Sequence, residues 1–150
     1  MQQYNPCNKP RDYWLCYFHV EGSNVWQGAK TLRCGSCTNT RAELLALWAS
    51  LWVAKDIGLP YLHIFGDSSV IINWAKKEST LDMVNLEAWC YNTRILMSSF
   101  TWVDFSHVYR EHNKWANILS KEGLHLAPGH LLLTESFGNE IIGVDSSQLF

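Results

Sequence analysis

The segment from Thr40 to Ile57, "TRAELLALWASLWVAKDI", constrains this chain most strongly. Leu44, Leu47, Trp48 and Leu51 recur at helical spacing, and Leu45, Trp48 and Trp52 make a neighbouring stripe. A helix apolar over so much of its circumference has to be covered on two sides, so the pattern predicts a sheet on one side and a second helix on the other. "IGLP" closes it, with Gly58 as the C-terminal cap and Pro60 blocking continuation. The apolar run from Leu44 to Ala54 falls well short of the roughly 20 residues that span a bilayer, so a buried helix is expected and no membrane partner.

The flanking segments supply the sheet. "DYWLCYFHV", the turn residues "EGSN" and "VWQGAKTLRCG" read as a β-hairpin. "YLHIF" is short and apolar, as a buried strand is, and Gly66-Asp67 leads into the helical pattern Val70, Ile71, Trp74. "LEAWCYNTRILMSSF" reads as a helix, "TWVDFSHVYR" as a strand and "NKWANILSKEGL" as a last helix ended by Gly123. Hairpin, helix, strand, two helices, strand and helix imply one α/β domain with a mixed sheet flanked by helices. Residues 125–150 read as a C-terminal tail with one or two short extended pieces.

With 47% hydrophobic residues and eight Trp, the 150-residue chain has ample material for a packed core. A formal net charge of -2 offers phosphate backbones no broad attractive field, so nucleic-acid affinity would need a local patch; Arg41, Lys76, Lys77, Arg110 and Lys114 are candidates, and scattered solvated cations are the alternative. The first residues lack the features of a secretory signal, and five Cys do not suggest a closed disulfide framework. An intracellular, reducing setting is expected, nuclear or cytoplasmic left open.

Glu43, placed in the first turn of the long helix, would complement the helix dipole; Asp67, after a buried strand, would serve as a helix cap. Their joint spacing offers a second reading. "TNTRAELLAL", then "YLHIFGDSSVIINW", then "FSHVYREHNKWANILSKEGL" resembles the ribonuclease H family, most closely the plant retroelement type, over roughly Asp12 to Leu124. The resemblance implies a ribonuclease H-like fold for residues 1–124. It also implies metal-dependent endonucleolytic hydrolysis of the RNA strand of an RNA–DNA hybrid by two divalent ions, Mg²⁺ or Mn²⁺. Two close cations need several hard oxygen ligands, one ion activating water and the other stabilising the leaving oxygen.

Carried over by position, Glu43 and Asp67 are catalytic metal ligands. Thr38 and Asn39 match the family's Thr-Asn-Asn stretch beside the hybrid, where a polar group can read the 2′-OH; an ordinary helix N-cap is the alternative. Arg110 and Asn113 are further candidate nucleic-acid contacts, and His112 is the nearest match to the mobile His of many relatives.

Two positions depart from the pattern. The family's last carboxylate falls at Asn117 in "NKWAN", where an amide supplies one neutral oxygen, so hydrolysis is expected to be weak or lost. The opening strand of the family, with its first carboxylate, has no counterpart, because Met1 falls after the point where that strand would end. That strand is central in the family and lies beside "YLHIF", so its neighbours would be left with unpaired buried backbone groups. "NEIIGVDSS" could fill the slot and bring Asp145 to the site; a truncated gene model or a decaying element copy is the reading preferred here. The alternative function is a non-catalytic module that binds nucleic acid or protein on the same surface.

Cys34 and Cys37 have thioredoxin-like spacing, but "TNT" separates Cys37 from the helix start, and no second paired spacing completes a zinc set. Two small residues at a strand end is the reading adopted. Oligomeric state is not encoded legibly.

Overall fold

In the computed structural model, residues 14–19, 26–32, 39–81, 84–112, 130–137 and 140–148 are described. Strands β1 (Trp14–His19) and β2 (Trp26–Leu32) form the expected antiparallel hairpin, with Trp14 opposite Leu32 and His19 opposite Gln27. The long helix α1 (Asn39–Asp56) follows, then β3 (Tyr61–Gly66), α2 (Ser69–Ala75), a 3₁₀ turn (Val84–Leu86) running into α3 (Glu87–Ser98), and β4 (Trp102–His107). The helix read over 113–124 lies outside the described residues.

The core explains why α1 carries so little polarity. Leu44, Leu45, Leu47 and Leu51 are fully buried, and only Trp48 and Trp52 among the large residues of this stretch are partly exposed. α1 packs against α3, β1 and α2, so a helix and a strand cover it as its two stripes require. Trp48 meets Trp89 of α3 edge-to-face, with ring centroids 5.1 Å apart. Leu62 and Ile64 of β3, Ile71, Ile72 and Trp74 of α2 and Phe105 of β4 complete the cluster.

β3 and β4 pair in parallel, Tyr61 opposite Trp102 through Gly66 opposite His107. Burial alternates strictly along β3: Leu62, Ile64 and Gly66 are buried, while Tyr61, His63 and Phe65 are exposed. The period of two thus puts one apolar face of the pair on the core. Among the described residues β3 pairs with β4 alone.

The C-terminal segment forms β5 (His130–Phe137) and β6 (Glu140–Gln148), longer strands than the short extended pieces read from sequence. β5 adds antiparallel to β2 and β6 to β5, in the order β1-β2-β5-β6. This corrects the idea that "NEIIGVDSS" lies beside β3: Asp145 is exposed and sits opposite Leu133. The hairpin connection is short and keeps β6 against β5, whereas a place beside β3 would need a crossover.

Two helix ends share one design with different residues. Gly58 at φ 79° ends α1, with its N–H bonding the Lys55 carbonyl and the Leu59 N–H bonding Ala54. After α2 the same pair of bonds runs from Lys77 to Trp74 and from Glu78 to Asn73, but the left-handed residue is Lys77 at φ 63°. A side chain there is strained where glycine is not. Lys77→Gly is therefore expected to raise stability by about 0.5–1 kcal/mol in urea unfolding; a lower midpoint would contradict it.

Candidate active site

Asp67 follows β3 directly, and the local sequence fixes its position. Gly66 ends the strand, and Ser68, not Asp67, caps α2: its hydroxyl accepts from the Ile71 N–H at 3.4 Å, and its carbonyl takes the Ile72 N–H. The expected capping role for Asp67 is thereby corrected, since a side chain one residue ahead of the cap does not serve that N–H. Its side chain is only 2% exposed. Oδ1 is buried without a hydrogen-bond partner.

The other carboxylate oxygen is engaged. Beyond β4 the Val108 N–H bonds the Gly66 carbonyl at 2.9 Å, tying the two strand ends together. The 3₁₀ turn Arg110–His112 follows, and the Arg110 Nε donates to Asp67 Oδ2 at 3.3 Å. Arg110 itself is 62% exposed, so the ion pair joins a fixed, buried anion to a largely solvated cation.

Glu43 is 6% exposed. Because α1 starts at Asn39, Glu43 lies beyond the first turn, which holds no acidic residue. The helix-dipole reading is corrected accordingly, because that field fades within one turn. Asn39 opens α1; Thr38, Asn113 and Asn117 lie outside the described residues, as do Cys34, Cys37 and Lys114.

His107 ends β4, exposed and edge-on to Tyr109, and His112 is exposed in the 3₁₀ turn. Of the candidate basic patch, Lys76 is paired with Glu78 at 3.2 Å and Arg110 with Asp67. The Asp67–Arg110 contact went unseen in the sequence, where the two residues appeared in separate roles. Its only signal was that both follow strands that could pair.

As a cation site the described residues fit in part. A buried carboxylate with a partnerless oxygen is the kind of hard donor that Mg²⁺ or Mn²⁺ takes. Among the described residues, however, no three His, Cys, Asp or Glu are grouped to hold a metal.

Away from this site, an open cleft of about 410 Å³ lies between the end of α2 and α3, lined in part by Trp74, Lys77, Cys90 and Arg94. The Arg94 guanidinium stacks on Trp74 at 4.1 Å and donates to the Trp74 and Ala75 carbonyls at 2.6 and 3.0 Å. Burial pushes the Cys90 thiol up, with Arg94 opposing and Glu87 adding to the shift, so it stays protonated near neutral pH.

A family model described as reverse transcriptase-like matches residues 18–123. A comparison with curated proteins finds no match. Among solved structures, the chain is similar to ribonuclease H1 from the archaeon Halobacterium salinarum, with 23% identity, a TM-score of 0.59, and coverage of 75% of this chain and 95% of that one. It is also similar to the LC11 ribonuclease H1, isolated from compost, in complex with an RNA/DNA hybrid: 16% identity, TM-score 0.58, 73% and 93% covered. A third is the N-terminal ribonuclease H domain of a Mycobacterium tuberculosis protein, at 17% identity, TM-score 0.57, 75% and 91% covered. At these identities the likeness is one of fold.

Proposed function

Because this chain belongs to the reverse transcriptase-like family and has a ribonuclease H-like fold, we propose that it binds RNA–DNA hybrids and retains the remains of a metal-dependent site that hydrolyses the RNA strand. The observation that carries this reading is Asp67: a carboxylate 2% exposed, with one oxygen lacking a partner, at the end of a core strand. A buried polar atom without a partner costs free energy that folding alone does not recover, and such costs recur where a ligand is held.

Glu43 and Asp67 would hold the metal, which supplies an activated water and charge neutralisation at the scissile phosphate. By resemblance to the family, Thr38, Asn39, Arg110 and Asn113 would contact the sugar–phosphate backbone of the hybrid. With Asn117 in place of the family's last carboxylate, the site holds its ions weakly and turnover is low or lost. The retroelement, plant-type origin belongs to this proposal, as does an intracellular location.

Cleavage of an end-labelled hybrid with Mg²⁺ or Mn²⁺ tests the reading. Asn117→Asp is expected to raise the rate about tenfold or more, by analogy with the 10–100-fold cost of disturbing groups around a metal. Asp67→Asn is expected to remove cleavage in that background. Hybrid binding that persists without cleavage in either form would instead make the chain a non-catalytic binding module.

A further inference from the structure

We propose that Arg110 is the resident counter-cation of Asp67, so that metal binding at this carboxylate and the Arg110–Asp67 ion pair exclude one another. The inference rests on the reading of Asp67 as a metal ligand, and it adds a device that holds the site closed while metal is absent.

Three observations converge on it. The Arg110 Nε lies 3.3 Å from Asp67 Oδ2, so a guanidinium already takes one of the two oxygens a cation would use. The exposures are lopsided: Asp67 is packed in at 2%, while Arg110 at 62% can swing into solvent without disturbing the core. The bond from the Val108 N–H to the Gly66 carbonyl fixes the start of the 3₁₀ turn, so Arg110 returns to the same carboxylate whenever nothing competes for it.

A divalent ion on Asp67 would face this guanidinium at a few Å, and like charges at that range repel strongly at the margin of a protein. The arm therefore leaves when the ion enters. Once released, the guanidinium is free to take a backbone phosphate, for which its planar donors are suited. Metal and phosphate binding are then coupled, and by linkage each favours the other. This gives Arg110 two successive partners, the protein's own carboxylate first and a phosphate second.

The test is a titration of Mg²⁺ alone, then Mn²⁺ alone, into the full chain, followed by calorimetry and by the shift in melting temperature. Arg110→Ala is expected to bind metal about 2- to 5-fold more tightly than the parent, the scale set by losing a partly exposed ion pair. Arg110→Lys, which keeps the charge, is expected to stay close to the parent, and Asp67→Asn to lose the binding. Equal or weaker affinity in Arg110→Ala, with Asp67→Asn still abolishing it, would overturn the proposal and leave the metal site standing. Tightening to the same degree in Ala and Lys would also overturn it, because charge would not be the cause. If neither the parent nor Arg110→Ala binds either ion, the metal reading of Asp67 fails and this proposal with it.

Discussion

In metal-free buffer the Asp67→Asn chain is expected to melt higher than the parent. The parent buries a carboxylate to 2% exposure with Oδ1 unpartnered, and leaving a buried acceptor unsatisfied costs about 1–3 kcal/mol. Against this stands one ion pair to an arginine 62% exposed, worth about 0–1 kcal/mol after screening. Asn keeps an oxygen for Arg110 and carries no charge to desolvate; its Nδ2 takes the unpartnered place of Oδ1, so only the charge's share of the cost is recovered, about 1 kcal/mol or roughly 2–4 °C for a chain of this size. With Mg²⁺ added the order is expected to narrow or invert, because only the parent gains from binding. A lower melting temperature for Asp67→Asn without metal would show that Asp67 serves the fold, and the case for a stored functional cost would collapse.

Arg94→Ala is expected to cost about 2–3 kcal/mol. Its guanidinium donates to the Trp74 and Ala75 carbonyls and lies 4.1 Å over the Trp74 ring, so one side chain of α3 terminates α2 and covers its aromatic residue. Helix-end carbonyls lack a partner within the helix; the Trp74 carbonyl also takes the Lys77 N–H, so Arg94 is its second donor, and a cation there meets the negative end of the dipole. Two charge-assisted bonds and a cation–π contact would exceed this figure in full burial; partial exposure of Arg94 reduces it. Arg94→Lys is expected to recover less than half, since an ammonium cannot span two carbonyls and stack as well. Urea unfolding of the three proteins decides it: equal midpoints for Arg94 and Ala would mean the clamp contributes nothing.

What the sequence revealed followed from local periodicity. The α1 stripes called for cover on two sides, and the helix is buried nearly all round; "YLHIF" read as a buried strand, but in β3 only Leu62, Ile64 and Gly66 are buried while Tyr61, His63 and Phe65 are exposed. Gly58 read as a cap and takes the left-handed conformation. What stayed hidden depends on partners distant in the chain. The lack of a helical period in the C-terminal segment says that pieces of it extend, but not that β5 joins β2, because a strand's sequence does not name the partner at its edge. The Asp67–Arg110 contact joins residues 43 apart, and Lys77 in a left-handed turn gave no glycine to mark it. Ser68 against Asp67 as cap was a one-residue question, the scale at which helix boundaries blur.

The bond from Val108 to Gly66 has a consequence for how this protein can change over evolutionary time. Asp67 and Arg110 each sit a fixed number of residues beyond the last rung of one parallel ladder, Gly66 opposite His107. Substitutions can alter either strand and leave that offset intact. Inserting or deleting one residue in β4 would move the arginine's anchor by about 3.3 Å and turn each later side chain to the opposite face. The segment between Tyr61 and Arg110 is thus free to vary at 79–80, between α2 and the 3₁₀ turn, while its two strands should keep their lengths wherever the ion pair is kept.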